Sequence, residues 1–127
     1  MVGNLNIYAI RGATTLNNDS ASEMDEKVAL LFSAILDENK ISEEDIAYIL
    51  LSQTSDLRKS NAASSLRRSN YCSKTPLFCL NEAEVDNALE KCVRIMVVVG
   101  HGAKSEIKMV YQGKAKALRP DLVKEKK

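Results

Sequence analysis

The chain has 127 residues, the length of one domain, and its formal net charge of +1 excludes a general attraction to nucleic acid or to an anionic membrane. No apolar run is long enough to cross a bilayer and the N-terminus lacks the regions of a signal peptide, so we expect a soluble, cytoplasmic protein. The cysteines lack CxxC spacing and the single histidine, His101, lies between two glycines, so neither a disulfide framework nor a metal site is expected.

The first half of the chain predicts a strand, a long helix and a second strand. Residues 7–11 alternate in polarity as a strand does, with Arg11 projecting near the end and Gly12 ending the strand. Across residues 22–39 the apolar side chains recur at helical spacing, which indicates an amphipathic helix. After a capping box at residues 42–45, residues 46–53 are apolar enough for a strand buried on both faces. This order of elements favours an α/β fold with a mixed sheet.

A polar segment at residues 56–70 predicts a short helix flanked by loop, at the rim of the protein and not in its core. This segment and the residues after it carry a basic cluster: Arg58, Lys59, Arg67, Arg68 and Lys74. Such a cluster can contact phosphates, but the sequence has no nucleic-acid motif and only one nearby aromatic residue. We therefore interpret the cluster as a solvated or ligand-steering rim.

The second half of the chain predicts further strands and one helix. Residues 76–80 and 92–99 are apolar strands, and residues 85–91 follow an acidic turn that suits the start of a helix. Residues 107–111 and 114–118 alternate, or nearly alternate, in polarity as strands do. Residues 123–127 are typical of a solvated, flexible tail.

Arg94 lies in the middle of the most hydrophobic of these strands, with the sequence CVRIMVVV at residues 92–99. A guanidinium keeps its charge at every accessible pH, and burying an unpaired charge is very unfavourable. Arg94 must therefore meet an anion or face a wet cleft. This position makes the binding of an anion the leading functional hypothesis.

Four polar side chains lie on or directly beside predicted strands: Arg11, Glu82, Arg94 and Tyr111. Two guanidiniums can hold a small molecule with two carboxylates, while a carboxylate accepts a hydrogen bond from a hydroxyl and a tyrosine adds a donor. One cleft with all four would suit a dianionic, hydroxylated metabolite. The alternative is an internal ion pair between Arg94 and Glu82, with Tyr111 at the edge of the core and Cys79 as a small buried residue.

Five segments in the same order resemble the chorismate mutases of the small, monofunctional, trimeric pseudo-α/β-barrel class. These segments are IRGATT (10–15), CLNE (79–82), KCVRIM (91–96), VY (110–111) and LRPDL (118–122). The resemblance implies a single bacillus chorismate mutase-like domain at residues 1–122, assembled as a homotrimer with active sites between neighbouring subunits. It also implies the Claisen rearrangement of chorismate to prephenate, a step in the biosynthesis of phenylalanine and tyrosine, with no cofactor and no metal.

By this resemblance the catalytic residues are Arg94, which donates to the ether oxygen and a carboxylate, Arg11, which anchors a carboxylate, and Glu82, which with Cys79 receives the ring hydroxyl. The other substrate-binding positions that it implies are Tyr111, Arg67, Leu118, Arg119, Asn61, Ala63 and Ser64. Where the family often has an aromatic residue and then a lysine, this chain has Asn61 and Ser64. We therefore expect catalysis with a raised Michaelis constant.

Two other classes of function remain open from the sequence. A trimeric small-carboxylate-binding protein of the imine-deaminase type has a broadly similar architecture, and fold alone does not choose between them. A protein-interaction module that uses the basic rim predicts binding that survives Arg94→Ala. The combination of Glu82 with Arg11 and Arg94 favours chorismate.

Overall fold

The computed structural model describes residues 7–100 and 106–121. The strands are β1 (Tyr8–Thr15), β2 (Ile46–Gln53), β3 (Leu77–Asn81), β4 (Cys92–Val99) and β5 (Val110–Tyr111). The α-helices are α1 (Ala21–Asn39) and α2 (Ala62–Arg68), and short 3₁₀ helices occupy Glu43–Asp45 and Gly113–Leu118. The expected turn around His101 and the expected tail at residues 123–127 lie outside the described residues.

The strands form one sheet in the order β3-β2-β4-β1-β5. The central strand β4 runs antiparallel to both β1 and β2, whereas β5 runs parallel to β1 and β3 runs parallel to β2. The expectation of a mixed sheet is confirmed. Because β4 has a paired strand on each side, its residue Arg94 lies at the centre of the sheet and not at an edge.

Helix α1 covers one face of this sheet and supplies much of the core. Ser20 caps its N-terminus, since the Ser20 hydroxyl accepts a hydrogen bond of 3.1 Å from the backbone N–H of Glu23. Its fully buried side chains recur at helical spacing: Met24, Val28, Leu31, Phe32 and Ile35. Alternate residues of β4 complete this core from the sheet: Val93, Ile95, Val97 and Val99.

Helix α2 packs beside α1, and the expectation that it lies outside the core is wrong. Ala62 and Leu66 are both fully buried in the main cluster. Arg68 on the exposed side of α2 forms an ion pair of 2.9 Å with Asp25 of α1. A helix of seven residues gains its stability from this packing, since its own hydrogen bonds are too few.

Strand β1 passes through Gly12 instead of ending there, which corrects the sequence expectation. A Cβ atom at this position would lie 2.7 Å from the carbonyl oxygen of Val110 and 3.1 Å from Cδ1 of Ile35. Gly12 therefore allows β5 and α1 to approach β1 closely. Its role is this close approach and not a turn.

Two segments of the second half differ from the expected elements. Residues 85–91 form no helix, because Asn87 and Lys91 adopt left-handed backbone angles (φ 65° and 48°) and Val85 is 66% exposed, with no core to pack against. Residues 114–118 form a 3₁₀ helix and not a strand. The turn begins at Gly113 (φ 58°), and the hydroxyl of Thr15 accepts a hydrogen bond from the backbone of Lys114.

The face of the sheet opposite the helices is open, so β2 is not buried on both faces as expected. Tyr48 of β2 is 44% exposed, and Phe78 and Leu80 of β3 are 63% and 46% exposed. The open face carries the candidate active site.

No helix in residues 7–100 and 106–121 is long and apolar enough to cross a membrane.

Candidate active site

One row of paired residues crosses all five strands on the open face of the sheet. Arg94 of β4 pairs with Ala13 of β1 on one side and with Ser52 of β2 on the other. Ala13 pairs in turn with Tyr111 of β5, and Ser52 with Leu80 of β3. All five residues line the same cavity, whose volume is about 240 Å³. Arg94 is the middle member of this row, and its neighbours Ala13 and Ser52 are small.

The adjacent row brings a second arginine to the cavity. Arg11 of β1 pairs with Met96 of β4, which pairs with Leu50 of β2, and all three residues line the cavity. Arg11 and Arg94 are thus diagonal neighbours, whose positions in an antiparallel pair are about 7–8 Å apart. Among the described residues, Arg11 has no carboxylate within salt-bridge distance. Its charge is therefore available to a ligand.

Arg94 faces a wet cleft and forms an ion pair with Glu82. Its Nε atom lies 3.4 Å from Oε2 of Glu82, and the side chains are 48% and 23% exposed in the single chain. An ion pair with this exposure contributes at most about 1 kcal/mol to folding. The ion pair foreseen by the alternative interpretation is present. Because Arg94 lines the cavity and the pair contributes little energy to folding, a purely structural role is disfavoured.

Ser52 binds the same carboxylate oxygen of Glu82 that faces Arg94. The sequence analysis did not identify Ser52 as a site residue. The hydroxyl of Ser52 donates a hydrogen bond to Oε2 of Glu82. The backbone N–H of Glu82 donates to the carbonyl of Gln53 at 2.9 Å, which places the residue just beyond the end of β3. The available signal was a polar residue that follows a continuous apolar run in β2, but only the strand register connects it to Arg94.

Tyr111 forms the far end of the row beside a small second core. It is half-buried and packs, with Leu118, against the cluster of Ala13, Cys92 and Ala115. Burial raises the pKa of the Cys92 thiol, and the nearby Arg94 opposes part of that rise. Arg119 lies beyond Leu118 and forms an ion pair of 2.8 Å with Asp121, which raises the pKa of Arg119. The structure thus places Leu118 and Arg119 on the Tyr111 side.

The side chains of the remaining implied site residues lie away from the cavity. Cys79 packs against the main core, its thiol donates to Oε1 of Gln53 at 3.4 Å, and burial raises its pKa. Arg67 of α2 donates to the backbone carbonyls of Cys72 and Thr75. Neither Cys79 nor Arg67 lines the cavity around Arg94.

The segment before α2 is held by two side chains. The Oδ1 atom of Asn61 caps α2 by accepting hydrogen bonds from the backbone of Ala63 at 2.9 Å and Ser64 at 3.1 Å. Gln53 binds the loop from β2: its Nε2 donates to the carbonyls of Leu57 and Ser60, both at 2.9 Å. The Asn61 side chain therefore has a structural role within its own chain. The sequence did not identify Gln53 as the anchor of this loop.

The implied site residues thus form two groups within one chain. The first, which we call the cavity group, contains Arg11, Arg94 and Tyr111, which line the cavity, together with three residues that lie beside them: Glu82, Leu118 and Arg119. The second, the rim group, contains Asn61, Ala63, Ser64, Arg67 and Cys79.

The cavity group can bind an anion with the guanidiniums of Arg11 and Arg94 and accept a hydrogen bond from a hydroxyl with the carboxylate of Glu82. Within residues 7–100 and 106–121, no three or more histidine, cysteine, aspartate or glutamate side chains cluster in a way that would hold a metal ion. The arrangement is suited to charge stabilisation of a bound organic anion.

Comparisons with known proteins agree on one family. The family Chorismate mutase type I matches residues 7–122. The chain is 37% identical over 117 residues to the chorismate mutase AroH of Bacillus subtilis (strain 168), covering 91% of this chain and 92% of that protein. Its structure is similar to that of a chorismate mutase from Clostridium thermocellum, with a TM-score of 0.81 and 35% identity over 87% of this chain and 98% of that chain.

Proposed function

Since the chain belongs to the type I chorismate mutases, isomerases that convert chorismate to prephenate, we propose that its cavity catalyses this step by conformer selection and electrostatic stabilisation, without a covalent intermediate. The family also decides against the imine-deaminase-like alternative. The observation that carries the mechanism is the central position of Arg94, with Glu82 at 3.4 Å and Arg11 in the adjacent row.

The charges of the cavity group match those of the substrate. Chorismate carries two carboxylates. Arg11 and Arg94 line the cavity with two guanidiniums, and the carboxylate of Glu82 lies beside Arg94. Arg11, which has no acidic partner among the described residues, anchors one carboxylate. Tyr111 adds a hydroxyl donor from the other end of the row. Binding both carboxylates holds the flexible side chain of chorismate over the ring, where the new bond must form.

The rearrangement breaks the ether C–O bond and forms a C–C bond within one molecule. Negative charge develops on the ether oxygen as its bond lengthens, and a fixed guanidinium at Arg94 stabilises that charge more than it stabilises the ground state. No proton changes place, so neither a general base nor a nucleophile is required. Glu82 compensates the positive charge of Arg94 and accepts a hydrogen bond from the ring hydroxyl of the substrate.

We further propose that the chain is a homotrimer in which the cavity group of one subunit meets the rim group of the next. Exposed Tyr48, Phe78 and Leu80 on the open sheet face support this assembly, since large apolar side chains in one patch favour a protein interface. The cavity of about 240 Å³ in one chain is also smaller than the roughly 300–1,000 Å³ of ligand pockets. The rim group would then complete the pocket.

Mixing two variants, each expected to be inactive, tests the shared site. Arg94→Ala lacks the cavity group's central cation, and Arg67→Ala changes the rim group. If the groups meet across subunits, random hybrid trimers have both groups intact at about a quarter of their sites. We expect that fraction of activity after the variants are refolded together. A monomer in light scattering, or no recovery in the mixture, would contradict the shared site.

The mechanism is tested by following the loss of chorismate absorbance and the formation of prephenate with purified protein. We expect turnover that is lost in Arg94→Ala and retained in Arg68→Ala, a matched control because Arg68 pairs with Asp25 outside the cavity. The rate should also be nearly constant around neutral pH, because no group exchanges a proton. A sharp bell-shaped profile around neutrality would refute the mechanism.

We place the enzyme in the cytoplasm. Its three cysteines, Cys72, Cys79 and Cys92, are all free thiols in the structure, which is the usual state in a reducing compartment. Cell fractionation with antibody detection tests this location. Recovery of the protein outside the cytoplasmic fraction would contradict it.

A further inference from the structure

Ser52 lies on the central part of the sheet, and its hydroxyl contacts the carboxylate of Glu82. It pairs with Arg94 across β2 and β4, and its Oγ donates to Oε2 of Glu82. The same Oε2 atom lies 3.4 Å from Nε of Arg94. We propose that Ser52 is a positioning residue for the rearrangement, which holds Glu82 in the orientation that serves both Arg94 and the substrate. The inference rests on the roles proposed above for Arg94 and Glu82.

Glu82 needs such a support because little else orders its side chain. Strand β3 ends at Asn81, and the segment that follows Glu82 is irregular and mostly exposed. The backbone of Glu82 is held by the carbonyl of Gln53, but a glutamate has three side-chain torsions and loses much rotamer freedom when it is held. Ser52 has a single torsion and lies within a paired strand. A short donor on a rigid strand is therefore well placed to select one glutamate rotamer.

The contact also divides the two carboxylate oxygens between different tasks. Oε2 is shared by Ser52 and Arg94, whereas Oε1 accepts no hydrogen bond from any residue in 7–100 and 106–121. Glu82 can thus compensate the guanidinium with one oxygen and receive the ring hydroxyl of chorismate with the other. Without the Ser52 hydroxyl, the carboxylate rotates about its last torsion and both tasks are served less often.

A purely structural role for Ser52 would give different results. Ser52 is half-buried, lies outside the two apolar clusters and lines the cavity. Ser52→Ala removes one oxygen atom and creates no large void, so the fold and the thermal midpoint should be nearly unchanged. The effect should appear in the chemical step, because the rotamer of Glu82 matters most when charge develops beside Arg94.

The experiment compares steady-state kinetics of Ser52→Ala and Ser52→Thr with the unmodified enzyme. We expect kcat to fall about 10-fold in Ser52→Ala, the size of effect typical of a lost hydrogen bond to a charged group, with KM changed less than about 3-fold. Ser52→Thr keeps a hydroxyl and should recover most of kcat. Ser55→Ala is the matched control, since Ser55 donates to Glu84 at 2.6 Å outside the cavity. It should leave both constants unchanged.

A double variant separates positioning from other roles. If Ser52 acts through Glu82, Ser52→Ala lowers kcat no further in a Glu82→Ala background. If the losses in kcat of the two single variants instead multiply in the double variant, the inference would be overturned and the proposed function left intact. The same holds if kcat is normal in Ser52→Ala while Glu82→Ala is impaired. Full activity of Glu82→Ala would instead refute the role of Glu82 in the proposed function.

Discussion

Replacing Arg94 should separate catalysis from folding stability, because the structure gives these two quantities very different magnitudes. The Arg94 side chain is 48% exposed, and its Nε atom is 3.4 Å from Glu82. Such a pair contributes at most about 1 kcal/mol to folding. Arg94→Ala should therefore lower the free energy of unfolding by no more than about 1 kcal/mol.

The expected effect on catalysis is larger. Removing one preorganised donor to a developing oxyanion costs about 10²–10³ in kcat, or roughly 3–4 kcal/mol. Arg94→Ala removes the whole fork, so we expect at least the upper end of that range. Arg94→Lys keeps the charge, but one ammonium cannot face both Glu82 and the substrate as a planar guanidinium can. We expect the lysine variant to lose about 10²-fold in kcat.

The assay is loss of chorismate absorbance under steady-state conditions, with denaturant unfolding and light scattering on the same samples. Near-normal kcat in Arg94→Lys would show that a point charge suffices and would refute the argument from forked geometry. A loss of several kcal/mol in unfolding free energy that accompanies the loss of activity in Arg94→Ala would show that Arg94 acts mainly through the fold.

Three further changes test other parts of the molecule. Ser64→Lys should lower KM for chorismate with little change in kcat, because a cation at the rim attracts a dianion; an unchanged KM at low salt would contradict this. Gly12→Ala should lower the free energy of unfolding in denaturant by about 1–3 kcal/mol, because the new Cβ would lie 2.7 Å from the carbonyl oxygen of Val110. Unchanged stability would show that the strands shift freely. The backbone N–H of Lys59 holds the pKa of Asp19 below its ordinary 3.8, so the stability that Asp19 contributes is present above that pH and is lost as the pH falls through its lowered value. The difference in unfolding free energy between the unmodified protein and Asp19→Ala should therefore shrink in acid, and a difference that is constant with pH would argue against this contribution.

Local patterns along the chain were sufficient for the elements that pack along their whole length. The 3.6-residue period of the long helix predicted residues 22–39, and α1 is observed at Ala21–Asn39. The apolar run at residues 46–53 matches β2, and the run at 92–99 matches β4. The helical period records the surface against which α1 packs, whereas the continuous apolar runs predicted the two strands but not the open face of β2.

Local patterns failed where the partner of a segment decided its conformation. The apolar residues at 85–91 fit one turn of helix, but Val85 is exposed, only Leu89 packs against the small second core, and left-handed Asn87 and Lys91 redirect the chain. The alternation at 114–118 fits a strand, but the hydroxyl of Thr15 and the left-handed Gly113 start a 3₁₀ helix instead. Contacts from distant residues outweigh weak local preferences in such short segments.

The sequence by itself determined the family and the chemical inventory: a permanent cation within an apolar strand, a second arginine on the first strand, and motifs of the chorismate mutases in order. Only the tertiary structure decided which of these side chains meet. Strand register placed Arg94 between Ala13 and Ser52, set Arg11 in the next row and paired Cys79 with the core residue Leu51. The packing of α2 leaves Arg67 away from that cavity. The reason is physical: residue types and their spacing are local properties, whereas register arises from pairing between strands that are far apart in the chain, and a shift of one residue would turn Arg94 to the other face.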